Sequence, residues 1–213
     1  MDAAKIQLIV AAILPILFAI TVHEAAHGWV ADKRGDHTAR MMGRLTLNPI
    51  KHIDPIGTVI LPIFMMLTTG MMFGWAKPVP VISRNLKNVR FDMAWVALAG
   101  PASNLLMALI WAMIAKLAIT FSVPAFIAMG KIGISVNLIL GVLNLIPIPP
   151  LDGSRVISAF LPRRAAYYYD KIERFGFIIL IAMLLLGFLN FILIPPVYGL
   201  EDIIFSVFDL PFN

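Results

Sequence analysis

Val22-His23-Glu24-Ala25-Ala26-His27 places two imidazoles and a carboxylate inside an apolar segment that runs from residue 6 to residue 31. On a helix, His23 and His27 are about one turn apart on the same face, separated by about 6 Å along the axis, so both can bind one metal ion. Ionisable groups cost about 2.5–3.5 kcal/mol each in hydrocarbon on insertion scales, so they are rarely kept there without a partner. The stretch therefore predicts a membrane-spanning helix that carries a metal site.

Glu24 follows His23 directly, so its side chain is expected beside the metal and not on it. A carboxylate there can accept a proton from a water whose pKa zinc has lowered to about 7, the general-base role in a metalloprotease. The alternative is that a few polar residues end an apolar helix by chance. Composition alone should give such a pattern in roughly one chain in a hundred or fewer.

The composition indicates an integral membrane protein. Of the 213 residues, 60% are hydrophobic and 14% are charged, and the mean hydropathy is +0.89, whereas soluble domains have about 25% charged residues. The chain is expected to form one membrane domain over residues 1–213 without a separate soluble module. The absence of cysteine excludes thiolate catalysis and cysteine-ligated zinc. The net charge of +5 is interpreted as a signal of membrane topology, and no nucleic-acid partner is expected.

The hydropathy pattern predicts an all-α helical bundle of about four full spans. These spans cover residues 6–31, 93–121, 125–148 and 175–194, and a fifth apolar stretch, residues 56–73, contains Pro62 and Gly70 and either crosses or re-enters. Short membrane-associated β segments are expected near the site, at residues 44–47 and 74–83. Pro78 and Pro80 remove two backbone donors, which suits the edge of a sheet.

The third metal ligand is expected just after the span that covers residues 125–148. A catalytic zinc usually has three protein ligands, and two histidines leave it one short. Pro147, Pro149 and Pro150 must unwind the backbone at membrane depth, which is tolerated only where the chain lines a cavity. Asp152 is the acidic residue of this broken region, so it is the favoured ligand. The alternative is that Asp152 caps the helix that follows.

Two asparagines lie inside the apolar spans. The amide of Asn144 can donate a hydrogen bond to an oxyanion that forms at the metal, or it can bond with a neighbouring helix. Asn104 is surrounded by small residues and is expected to be a polar group in helix packing.

Taken together, the motifs resemble the site-2 protease family of intramembrane zinc metalloproteases, in its compact form without appended soluble domains. The resemblance rests on His23 to His27, on Asn144 to Gly153 as an NxxPxPPLDG pattern, and on Gly100-Pro101 with Asn104 as a GPxxN element. It implies one zinc ion per chain bound by His23, His27 and Asp152, with Glu24 as the base and Asn144 as a transition-state or substrate contact. It also implies a single-pass membrane protein as the substrate, cut within or near the bilayer.

An intramembrane protease must unwind its substrate, because a helix hides its scissile carbonyls in hydrogen bonds. An exposed extended edge offers replacement bonds. The expected substrate-binding residues are therefore Val79, Val81, Ile82 and Ser83. The alternative is that this segment is a rigid connector.

The metal site also constrains the topology. If the histidines meet Asp152, helices 6–31 and 125–148 must be parallel, helix 93–121 must be antiparallel to them, and the chain between residues 31 and 93 makes no net crossing. All of the 17 basic residues except Lys5, Lys116 and Lys131 then share the side of the active site. Positive residues prefer the cytoplasm, so we expect a plasma-membrane protein whose active site faces the cytoplasm.

Two other functions fit a metal site in a membrane. A transporter would normally show paired broken helices in two repeated halves, and only one break is convincing in this sequence. A catalytically inactive scaffold could keep the zinc ligands but would have no need of the intact Glu24.

Overall fold

The computed structural model describes residues 3–61, 64 and 76–212. In these ranges the regular structure is helical, with short turns at Pro49–His52, Pro55–Ile60 and Ser83–Asn85. The α-helices are α1 (Ala3–Lys33), α2 (Thr38–Met41), α3 (Val89–Thr120), α4 (Pro124–Leu145), α5 (Asp152–Phe160), α6 (Arg163–Asp170), α7 (Glu173–Leu185) and α8 (Phe188–Phe208).

Four of these helices are long and apolar enough to cross a membrane, which confirms an all-helical polytopic membrane protein. They comprise Gln7–Lys33 of α1, Val89–Thr120, Pro124–Leu145 and Phe188–Phe208. The first three coincide with the predicted spans 6–31, 93–121 and 125–148. Pro15 lies inside α1 and Pro101 inside α3 without ending either helix, as membrane helices permit when neighbouring groups satisfy the freed carbonyl.

The bounds predicted for the fourth span, residues 175–194, are wrong, since the candidate span at this end of the chain is Phe188–Phe208. The helix breaks at Gly187, which has a φ of 75°. Glycine adopts this left-handed conformation without steric penalty and commonly ends a helix in this way. The chain then continues as α8 through Pro195 and Pro196 as far as Phe208, so the two prolines that follow the predicted end of the span at residue 194 lie inside a helix.

The predicted β segments are not observed in the described residues. Residues 44–47 are irregular, and residues 76–82 have no strand partner. Gly74 and Trp75 lie outside the described residues, as do residues 62, 63 and 65–73 of the segment that was expected to cross or re-enter.

The helix directions agree with those required by the metal site. Arg34, just after α1, lies 3.2 Å from Asp92 in the first turn of α3, and its carbonyl accepts a hydrogen bond from the Lys87 amide at 3.1 Å. The end of α1 and the start of α3 therefore adjoin. Asp209, at the end of α8, lies 2.9 Å from Lys116 near the end of α3, so α8 finishes at the opposite end of the bundle.

Small residues allow α3 and α4 to pack closely. A Cβ added at Gly133 would lie 2.3 Å from the Trp111 ring, and one at Gly130 would lie 2.6 Å from the Cβ of Ala115. Such contacts are typical of membrane helices, in which small residues let backbones approach. This packing fixes α4, which leads to Asp152, against α3, which lies behind the histidines.

Candidate metal centre

Three ligand-type side chains converge near the ends of α1 and α4. The Nε2 atoms of His23 and His27 lie 3.0 Å apart, and Oδ2 of Asp152 lies 3.3 Å from the first and 3.2 Å from the second. They form the one group of three potential metal ligands found in the part of the chain that the structure describes. The side chains are largely buried, with exposed fractions of 8%, 12% and 16%.

The broken end of α4 brings Asp152 to the histidines. Helix α4 ends at Leu145, and α5 begins at Asp152. The turn between them is tight, since a Cβ at Gly153 would lie 2.2 Å from the Leu145 carbonyl oxygen. Leu151 occupies the N-cap position of α5, and no side chain caps the helix there. The capping role considered for Asp152 is therefore not observed.

Hydrogen bonds to the far side of each imidazole determine which nitrogen faces the cluster. Nδ1 of His23 lies 2.6 Å from Oδ1 of Asn104, and Nδ1 of His27 lies 2.7 Å from the Val96 carbonyl oxygen. Both partners accept, so each Nδ1 carries the proton and each Nε2 presents a lone pair. Metal-binding histidines are typically oriented by such bonds. Asn104, expected to serve in helix packing, thus contacts a candidate ligand directly.

The donor set fits a bound cation. Two imidazole lone pairs and a carboxylate oxygen face one another, and Oδ2 of Asp152 is buried without a hydrogen-bond partner among the described residues. A buried polar atom of this kind is costly unless something compensates it. Two nitrogens and one carboxylate oxygen are a ligand set that zinc uses in catalytic sites.

Gly100 permits the close approach of α3 to the histidines. A Cβ at this position would lie 2.5 Å from Cε1 of His23 and 2.5 Å from Nε2 of His27. Any side chain would displace an imidazole, so the glycine of the GPxxN element is required by the geometry of the ligands.

Glu24 contacts the extended segment of residues 76–82. Its Oε2 accepts a hydrogen bond from the Val79 amide at 2.8 Å. Lys77 and Val79 each precede a proline, which favours an extended backbone. The segment is held further by Arg44, which donates to the Lys77 carbonyl at 3.0 Å, and by Asp36, which accepts from the Ile82 amide at 2.6 Å.

A cavity of about 290 Å³ opens between this segment and the ligands. It brings together the predicted base, the three predicted ligands and Asn144, whose Nδ2 donates to the Leu140 carbonyl of its own helix at 2.9 Å. Val79 and Val81 of the predicted substrate-binding set line it, whereas Ile82 and Ser83 do not, and Ser83 begins a 3₁₀ turn. Arg155, in the first turn of α5, also lines the cavity.

The fold and the site define a polytopic membrane protein with a candidate metal centre of two histidines and one carboxylate. Residues 121–187 match peptidase family M50. The chain is 39% identical over 178 residues to "Putative zinc metalloprotease YwhC" of Bacillus subtilis, an alignment that covers 80% of this chain and 78% of that protein. The chain belongs to peptidase family M50, which confirms the resemblance to the site-2 proteases.

More distant relatives match over a similar length. The chain is 28% identical over 192 residues to "Putative zinc metalloprotease Rip2" of Mycolicibacterium smegmatis, covering 87% of this chain and 71% of that protein. It is 28% identical over 193 residues to the protein of the same name from Mycobacterium tuberculosis, covering 88% and 71%. No solved structure matches the chain.

Proposed function

We propose that this chain is a zinc-dependent endopeptidase that hydrolyses peptide bonds in membrane-spanning segments, with Glu24 as the general base. The observation that carries the proposal is the position of Glu24, which lines the same cavity as the three convergent ligand atoms of His23, His27 and Asp152. The histidines precede the end of α1 by six and ten residues, which is about 9–15 Å of helix. This distance from the helix end supports a substrate that is cut within the bilayer.

Each polar residue of the cavity has a distinct role in this proposal. His23, His27 and Asp152 hold one zinc ion per chain; when bound, zinc acidifies the attacking water and polarises the scissile carbonyl. Glu24 accepts the proton of that water and returns it to the departing amine. Asn144 donates one amide hydrogen to the Leu140 carbonyl. Its second amide hydrogen can donate to the oxyanion that forms from the scissile carbonyl.

Removal and return of the metal test this function. We expect the purified protein in lipid vesicles to contain about one zinc per chain, to cleave a single-pass model substrate, to lose cleavage with a chelator and to regain it with added zinc. Zinc content is measured by elemental analysis and cleavage by gel. Movement of zinc into the vesicles without cleavage would instead support a transporter.

We place the active-site end of the bundle at the cytoplasmic face of the plasma membrane. Basic side chains are exposed at that end, among them Lys33, Lys87 and Arg155, and positive residues near membrane spans favour the cytoplasm. Tyr167 and Tyr168, with 57% and 58% exposure, suit the membrane interface, where aromatic rings are enriched.

The proposed substrate is a single-pass membrane protein whose unwound segment pairs with residues 79–82. In an extended chain, the amides of Val79 and Val81 point to the same side. The Val79 amide is bonded to Glu24, whereas no described residue accepts a hydrogen bond from the Val81 amide. An incoming strand can therefore bond to Val81 next to the catalytic base.

Proline at this position tests strand pairing. We expect Val81→Pro to impair cleavage by about tenfold, the effect of losing a hydrogen bond of about 1.4 kcal/mol, and to impair it more than Val81→Ala. Cleavage rates are compared in vesicles at equal zinc content. Ser83→Pro is the control, since proline is tolerated at the start of a helical turn. Equal rates for the proline and alanine variants at position 81 would contradict pairing at this amide.

A further inference from the structure

We infer that Asn104 and Asn137 are positioning residues for His23, and that together they fix the orientation and tautomer of its imidazole. The inference rests on the proposed zinc site. Both asparagine side chains are fully buried, with exposed fractions of 0%. They join α1, α3 and α4 at the depth of the candidate ligand.

Four hydrogen bonds form one continuous chain. Nδ2 of Asn137 donates to the Gly133 carbonyl at 2.8 Å. Nδ2 of Asn104 donates to Oδ1 of Asn137 at 3.0 Å and to the Ala19 carbonyl at 3.2 Å. Oδ1 of Asn104 then lies 2.6 Å from Nδ1 of His23.

Backbone carbonyls set the direction of this chain, because they can only accept hydrogen bonds. The Gly133 carbonyl requires the amide nitrogen of Asn137, so Oδ1 of Asn137 faces Asn104. That oxygen and the Ala19 carbonyl together require the amide nitrogen of Asn104, so only its oxygen is left for His23. A flip of either amide would place an oxygen against a carbonyl oxygen and leave buried groups unpaired.

The end of the chain determines the chemistry of His23. Since Oδ1 of Asn104 can only accept, Nδ1 of His23 must carry the proton, and the lone pair of Nε2 is directed at the metal site. His27 needs no comparable side chain, because the Val96 carbonyl already faces its Nδ1 at 2.7 Å. The two histidines are therefore oriented in different ways, one by the backbone and the other by two buried amides.

A purely structural role predicts something different from a positioning role. If the amides only join helices, their loss should destabilise the zinc-free protein, and any effect on zinc should follow that loss of stability. If they position His23, zinc affinity should fall in protein that remains folded. Substitution of Asn137 should also cause no further loss of zinc affinity in a variant that lacks the Asn104 amide, because Asn137 acts through Asn104.

The test uses leucine, which has the branching of asparagine without its hydrogen bonds. Full-length wild type, Asn104→Leu, Asn137→Leu, the double variant and Asn104→Asp are compared by chelator competition for zinc, with thermal unfolding of the zinc-free proteins measured in parallel. We expect Asn104→Leu to weaken zinc binding by about 10–100-fold, as is typical for loss of an outer-shell partner. Asn137→Leu should weaken it less, and the double variant should resemble Asn104→Leu. Asn104→Asp keeps an acceptor for His23 and should bind zinc more tightly than Asn104→Leu.

Asn190→Leu, at an exposed position in α8, is the matched control and should leave zinc affinity unchanged. Wild-type zinc affinity in Asn104→Leu would overturn the inference, as would additive losses in the double variant. If Asn104→Leu does not fold, Asn137→Leu decides the matter, and a zinc affinity equal to wild type in that variant would also overturn the inference. Because the assay measures zinc binding, a wild type that binds zinc but cleaves nothing would refute the proposed proteolysis and leave this inference standing.

Discussion

Glu24→Gln is expected to abolish cleavage while leaving zinc content unchanged. Glutamine has nearly the same volume as glutamate, and its Oε1 can still accept the hydrogen bond that the Val79 amide donates at 2.8 Å. The amide cannot accept the proton of the attacking water. The substitution therefore removes the base and keeps the contact with the extended segment. Loss of a general base typically costs about 10²–10⁴-fold in rate.

The measurement pairs cleavage rates in lipid vesicles with elemental analysis of zinc. Glu201→Gln is the matched control, since Glu201 is likewise a glutamate in a spanning helix whose carboxylate accepts a hydrogen bond, in its case from Ser135 at 2.5 Å, but it does not line the cavity. It should cleave normally. Undiminished cleavage by Glu24→Gln would remove Glu24 from the mechanism.

Glu24→Ala separates the two roles of the side chain. Alanine removes both the base and the hydrogen bond to Val79, so we expect it to be as inactive as glutamine and, in addition, to loosen residues 76–82. Hydrogen exchange at the Val79 amide would then be faster in the alanine variant than in the glutamine variant.

The convergence of His23, His27 and Asp152 could be predicted because ionisable groups are costly in an apolar, membrane-spanning chain. His23 and His27 are one helical turn apart, and Asp152 is the acidic residue of a region that three prolines unwind. A buried ionisable group in a membrane needs a partner, so these three side chains were expected to contact one another. In the structure, the Nε2 atoms of both histidines and Oδ2 of Asp152 lie within 3.3 Å of one another.

The contacts behind the ligands could not be predicted in the same way. Asn104 and His23 are 81 positions apart, and nothing in the spacing of either residue indicates the other. The only local signal is an amide inside an apolar span, which fits helix packing equally well. The contact between Glu24 and Val79 could not be predicted either, because the two residues are 55 positions apart. The prolines on either side of Val79 indicate only that its backbone is extended.

The break between α7 and α8 shows the limit of hydropathy. Residues 175–194 are apolar almost throughout, and a glycine that turns the chain inside such a run leaves no polar signal. Gly187 adopts a φ of 75° and ends α7. Pro195 and Pro196, whose residue type disfavours a helix interior more strongly, lie inside α8. In a membrane, helix ends depend on neighbouring helices as well as on the local sequence.

Asp152→Ala is expected to lose zinc. The substitution removes the one carboxylate oxygen that faces both histidines, so two imidazoles remain, and affinity should fall by more than the roughly 10–100-fold that loss of an outer-shell partner costs. Elemental analysis after dialysis should show about one zinc per chain in the wild type and little in the variant. Added zinc should raise the unfolding temperature of the wild type alone, because a ligand stabilises only the state that binds it.

Asp170→Ala is the control for this variant, since Asp170 is exposed at the end of α6. If Asp152→Ala kept its zinc, another carboxylate would have to replace the missing oxygen. Asp36 is already bonded to the Ile82 amide and to Asn85, and Asp32 is paired with His37 and Arg40. Glu24 is the other acidic residue that lines the cavity within the described ranges, so it would become the ligand. Glu24→Gln would then lose zinc together with activity, and the two substitutions, measured side by side, distinguish a base from a ligand at position 24.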